Sequence, residues 1–229
     1  MSQYDLVIRS GSVIDGTGQQ PFTADVAIKN GKIAATGRVS GHGDREFNAD
    51  GALVTPGFVD IHTHYDGQAT WSNRMSPSSH HGVTSVVMGN CGVGFAPVRP
   101  TDHDLLIELM EGVEDIPGVA LSEGLSWEWE SFPDYLDYLS KRQFDMDICA
   151  QLPHAAMRVY VMGQRGADRE PATTEDIIEM RRLTEEAIRA GALGFTSSRT
   201  LNHRSSKGCL LYTSPSPRDR TRSRMPSSA

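Results

Sequence analysis

His62 and His64 stand one residue apart in "GFVDIHTH", at the end of a short apolar stretch, and Cys91 follows a second such stretch in "VVMGNCGVG". Alternate residues of an extended strand share a face, so the two histidines lie on one side with Phe58 and Asp60, and Val59 and Ile61 lie on the other. Two neutral imidazoles on one face suit zinc or a similar divalent ion. His-x-His alone is a weak sign, because a polar strand end gives the same pattern. Cys91 strengthens it. Most cysteines are small buried hydrophobes, and Cys149 within "DICAQL" reads that way. Cys91 instead comes after its strand, between Asn90 and Gly92, where the backbone can turn tightly and a thiolate can face a cation that keeps it deprotonated.

Other polar residues fall near the same positions. Asp66, two after His64, reads either as a group that orients a ligand histidine or as a turn residue with Gly67. His154, in "QLPHAAMR", stands either against substrate or as a polar loop residue. Arg199, after "GFTSS", would meet a substrate carboxylate through its fork of donors or pair with an acidic neighbour. His80 and His81 precede the second strand and read as surface residues, while His42 and His103 carry no signal.

The elements that must position these residues follow from the periodicity. Residues 4 to 55 alternate apolar and polar side chains, with Asn30-Gly31 marking a tight hairpin, and predict a small β-sandwich or sheet. After Pro56 the texture changes to strands and helices in turn. Strands are expected at "GFVDIHTH", "GVTSVVMGN", "DMDICAQLPH" and "ALGFTSS". Helices are expected at "DHDLLIELMEGV", at "SFPDYLDYLSKR" capped by Ser131, and at "ATTEDIIEMRRLTEEAIRAG" capped by Thr173 or Thr174 and ended by Gly191. This alternation predicts parallel βα units. A full (β/α)8 barrel needs about 250 residues, so four strands by residue 198 amount to the first half of one. Residues 113 to 132 form a long excursion in which Trp127 and Trp129 either pin the segment to the barrel wall or pave a substrate entrance.

Composition sets the class. The 229 residues are 38% hydrophobic and 22% charged, with a formal net charge of -7. That balance excludes any electrostatic reason for a nucleic-acid or anionic-membrane partner. No apolar run is long enough to span a bilayer, and three scattered cysteines form no disulfide framework. A cytoplasmic enzyme is expected. From Cys209 onward, "CLLYTSPSPRDRTRSRMPSSA" holds five Ser, three Pro and four Arg against one Asp. Residues 209–229 resemble a reading frame of a sequencing adapter and are expected to be foreign to the natural protein, which would continue past Gly208.

The stretches "VIDGTG", "VTPGFVDIHTHYDGQ", "GVTSVVMGNCGVGFAP" and "GALGFTSSRTLNHR" together resemble the D-aminoacylase, or N-acyl-D-amino-acid deacylase, branch of the amidohydrolase superfamily. The resemblance covers residues 4 to 208. It implies an α/β fold in which a metal-dependent (β/α)8 barrel (residues 56–208 its first half) follows part of a β-sandwich (residues 1–55). It implies one or two zinc ions, with Cys91 on the tightly held one beside two histidines from later strands, and His62 and His64 on a second, weaker position. The general base would be an Asp beyond residue 208, and the substrate an N-acyl amino acid or related linear amide. The 229-residue chain itself would then be inactive. Cyclic amidases of the hydantoinase and dihydropyrimidinase type share the His-x-His, but they carry a metal-bridging lysine on the fourth strand, and "GALGFTSS" has none.

Overall fold

A computed structural model describes residues 2–114 and 116–198. The chain divides into two compact units, Met1–Gly57 and Phe58–Ala229.

The first unit is a single mixed sheet. Strands β1 (Tyr4–Val13), β2 (Phe22–Lys29), β3 (Lys32–Gly37) and β4 (Gly43–Asn48) run in the order β3-β2-β1-β4, and the short β5 (Leu53–Val54) also pairs with β1. β1 is antiparallel to β2 and parallel to β4 and β5. Asn30 and Gly31 both have positive φ, 51° and 71°, as a two-residue hairpin turn matching strand twist requires. The alternation buries two small clusters, one around Val7, Ala27 and Val39 and one around Val13, Ala24 and Val26.

In the second unit, β6 (Phe58–Asp60), β7 (Val83–Met88) and β8 (Asp147–Ala150) form a parallel sheet in that order. β9 (Leu152–Pro153) pairs in parallel with β10 (Phe195–Thr196). The expected third strand is thus cut in two at Gln151. The Gln151 N–H still donates to Met88 O of β7 at 3.0 Å, whereas the Leu152 N–H donates to Gly194 O at 2.9 Å. At Gln151 the strand changes partner.

Helices α1 (Gln68–Trp71), α2 (His103–Glu114), α3 (Gly118–Gly124), α4 (Phe132–Ser140), α5 (His154–Met162), α6 (Gln164–Ala167) and α7 (Thr174–Ala190) occupy the connections. α4 and α7 begin with reciprocal capping boxes, Ser131 with Asp134 and Thr173 with Asp176. Gly191, at φ 115°, closes α7. α3 lies inside the expected excursion and was not anticipated, because it is short and no side chain caps it. α5 escaped for another reason. Ala155, Ala156, Met157, Arg158 and Val159 are all buried, so the segment has no amphipathic stripe to announce a helix.

The core gathers over β7, β8 and β9, joining Val86, Met88 and Leu152 to Leu106 and Met110 of α2, Tyr135 of α4, Met157 of α5 and Leu183 of α7. It does not extend to β6. Val59 and Ile61, the apolar side of that stretch, are 60% and 72% exposed, because β6 is a three-residue edge strand outside that packing. Trp129 is buried, donates from its indole N–H to Phe95 O at 2.8 Å and packs on Tyr135. It pins the excursion, as one of the two readings held. Trp127 stacks on His103 at 4.1 Å with the rings 8° from parallel. His103 is therefore a packing residue rather than a featureless surface one, and burial lowers its pKa. No helix among the described residues is long and apolar enough to cross a membrane.

Candidate metal centre

The regular part of β6 ends at Asp60, and the next residues are held by side-chain bonds. Asp60 Oδ1 accepts from the His62 N–H at 3.2 Å. The Thr63 N–H and hydroxyl both donate to Val87 O of β7, at 3.0 and 2.8 Å. The middle residue of His62-Thr63-His64 is buried and bound to the neighbouring strand. The two imidazoles stand together beside it, their ring centroids 5.5 Å apart.

β7 runs into a tight turn. Gly89, Cys91 and Gly92 all have positive φ, 80°, 57° and 72°. For the glycines this is unstrained, and both pack closely. A Cβ on Gly89 would lie 2.1 Å from Gln151 O, and one on Gly92 would lie 3.0 Å from Ser197 Cα. For Cys91, whose Cβ crowds the carbonyl, the left-handed conformation costs about 1 kcal/mol. Neighbours hold the turn in that shape. The Thr196 hydroxyl accepts from the Gly92 N–H at 3.1 Å and donates to Gly89 O. The Asn90 amide donates to Thr63 O and Val87 O and accepts from Gln151.

These constraints bring His62 Nε2 to 3.2 Å from Cys91 Sγ. One ligand atom each from His62, His64 and Cys91 lies within 4.8 Å of the others. Two imidazoles and a thiol are a zinc donor set, and tetrahedral zinc with ordinary bond lengths separates a nitrogen and a sulfur ligand by about 3.6 Å. The cluster fits such an ion in both chemistry and spacing. Cys149, expected to be buried, is only partly so.

The other sequence candidates fall nearby or outside view. Asp66 is buried; its backbone carbonyl accepts from the Tyr135 hydroxyl at 2.9 Å, and burial together with the Asp66 charge raises the pKa of that phenol. Gly94 admits the Asp66 carboxylate, whose Oδ1 lies 3.0 Å from where a glycine Cβ would be. His154 is not a loop residue. It is the first residue of α5, 6% exposed, with its ring edge-on to Phe195 at 5.6 Å. Its Nδ1 is buried without a hydrogen-bond partner among the described residues. Burial, with Arg158 one turn on, lowers its pKa to about 4, so the ring is neutral at neutral pH. Because it follows β9 directly, it stands at the strand ends that also carry the Cys91 turn. His80 and His81 are exposed in a turn before β7, as expected. Arg199 lies outside the described residues. Sequence reasoning passed over Thr63, Asn90 and Thr196, which act mainly through backbone partners that no motif displays.

Comparison with known proteins identifies relatives of the chain. The family model described as "Amidohydrolase family" matches residues 45–225. The D-aminoacylase of Alcaligenes xylosoxydans xylosoxydans is 33% identical over 195 residues, covering 85% of this chain and 37% of that protein. A crystal structure of D-aminoacylase, said to define a novel subset of amidohydrolases, superposes with a TM-score of 0.70 at 32% identity over 86% of this chain and 39% of that one. The N-acyl-D-glutamate deacylase of Bordetella bronchiseptica, solved with zinc and a phosphonate mimic of the tetrahedral intermediate, gives a TM-score of 0.68 at 27% identity, over 90% and 40%. The chain spans about two fifths of the length of these relatives.

Proposed function

Because the chain belongs to the amidohydrolase family, in its D-aminoacylase branch, we propose that it serves a zinc-dependent hydrolase of linear amide bonds. The substrate class is an N-acyl-D-amino acid, cleaved to a carboxylate and a D-amino acid. The observation that carries this reading is the convergence of His62, His64 and Cys91 within 4.8 Å. These residues would hold a zinc ion, which would supply Lewis-acid chemistry: a lowered pKa for a bound water and polarisation of the amide carbonyl.

The chain's own residues have distinct parts. Cys91, as thiolate, holds the tighter zinc position, and His62 and His64 serve a second, weaker one. His62 Nε2 lies 3.2 Å from Cys91 Sγ, so the two positions would be adjacent. Asp66, two residues after His64, orients a ligand histidine. His154, neutral and buried at the same strand ends, offers a hydrogen bond to substrate, and Arg199 pairs with the substrate carboxylate. β6, β7, β8-β9 and β10, parallel and neighbouring in chain order, are read as the first half of a (β/α)8 barrel. The resemblance adds two further histidine ligands and an Asp general base, expected beyond residue 208, so the activity is assigned to the whole protein. A cyclic-amidase role is disfavoured by the absence of lysine from "GALGFTSS".

Zinc binding tests the reading at its root. Equilibrium dialysis of the whole protein should retain zinc that Cys91→Ala loses. A protein that takes up no zinc, or a variant that keeps all of it, overturns the centre. Deacylase activity of the isolated chain would overturn the assignment of catalysis to the longer protein.

A further inference from the structure

We infer that Asn90 is the positioning residue that sets the spacing between the His62–His64 pair and the Cys91 thiolate. Its carboxamide is buried and fully engaged. Nδ2 donates to Thr63 O at 3.2 Å and to Val87 O at 2.8 Å, while Oδ1 accepts from Gln151 Nε2 at 3.0 Å. Thr63 is the residue between the two histidines, and Asn90 immediately precedes Cys91. One side chain therefore ties the backbone of the histidine segment to the backbone of the cysteine turn. Val87 O is the shared anchor, since it also takes the Thr63 N–H and hydroxyl. The Gln151 contact fixes which end of the amide faces Thr63. With Oδ1 engaged by a donor, only the NH2 group is left for the two carbonyls.

The requirement is specific. Aspartate matches asparagine in size but has no N–H to give, so it sets carboxylate oxygens against two carbonyl oxygens. Leucine and alanine leave both carbonyls without this donor in a buried place. The Cys91 turn is already left-handed and held from the far side by Thr196. Losing Asn90 would free the near side, and the thiolate and imidazoles would no longer be held at one separation. Groups that orient metal ligands without touching the metal change affinity by about 10- to 100-fold when removed.

The inference rests on the metal centre proposed above, and the test separates the two. Cadmium is titrated into the whole protein, freed of metal, while the cadmium–thiolate charge-transfer absorption is followed, in wild type, Asn90→Asp and Gln151→Leu. Wild-type protein without a thiolate band defeats the metal centre itself. Wild type with the band, and Asn90→Asp at least about tenfold weaker with unchanged near-ultraviolet circular dichroism before metal is added, is the result expected. Asn90→Asp binding within twofold of wild type overturns the role of Asn90. Should Asn90→Asp fail to fold, Gln151→Leu decides. It leaves the amide in place but unoriented, so weaker binding supports the inference and wild-type affinity sinks it.

Discussion

His62 Nε2 and Cys91 Sγ lie 3.2 Å apart although 29 positions separate them in the chain. They meet because β6 and β7 are parallel neighbours and each carries its ligand just past its C-terminal end. Thr63, bonded to Val87 O, and Asn90, bonded to both, close the distance that strand pairing leaves open.

Zinc stoichiometry should divide the ligands. Cys91→Ala is expected to abolish tight binding, whereas His62→Ala and His64→Ala should lower the weaker equivalent and leave the tighter one. Metal analysis after dialysis at graded free zinc reads this directly. Equal loss from all three variants would point to one shared ion.

Gly89 should tolerate no side chain. Its φ of 80° and the 2.1 Å separation between an added Cβ and Gln151 O act together. Gly89→Ala is expected to cost about 3 kcal/mol or more in urea unfolding. Gly191→Ala is the control, being left-handed but with nothing within 4 Å among the described residues, and should cost only about 1 kcal/mol.

His154 makes stability depend on pH in a defined window. Its folded pKa, about 4, lies below the ordinary 6.5 because burial and Arg158 oppose the charge. Between those values the unfolded chain binds the proton more readily, so stability rises with pH. The contribution is complete above pH 6.5 and is lost as pH falls towards 4. A shift of this size corresponds to roughly 3 kcal/mol. His154→Gln should flatten that part of the profile, and an unchanged difference between pH 7 and pH 4.5 would contradict the assignment.

Thr173→Ala should destabilise α7 by about 1 kcal/mol, because it removes the hydroxyl that accepts from the Asp176 N–H at 3.2 Å. Thermal unfolding against Thr174→Ala, which lies inside the helix, isolates the cap.

Much of the framework was legible because it rests on neighbours in sequence. The Asn30-Gly31 hairpin, the Ser131 cap and a cap at Thr173 or Thr174 were readable from a few residues each. α5 was hidden for the opposite reason, since burial on nearly every side erases the period that reveals a helix. His154, read either against substrate or as a polar loop residue, is a buried helix residue with its ring edge-on to Phe195.

By itself, the sequence determined that His62 and His64 follow one apolar stretch, that Cys91 follows the next, and that glycines flank the turn around it. Those properties come from residue order and local conformational preference. Tertiary structure alone decided that the three side chains converge, that Asn90 joins their two segments, and that the third strand changes partner at Gln151. Each of these depends on hydrogen bonds and close backbone packing between segments far apart in the chain, which no local pattern records.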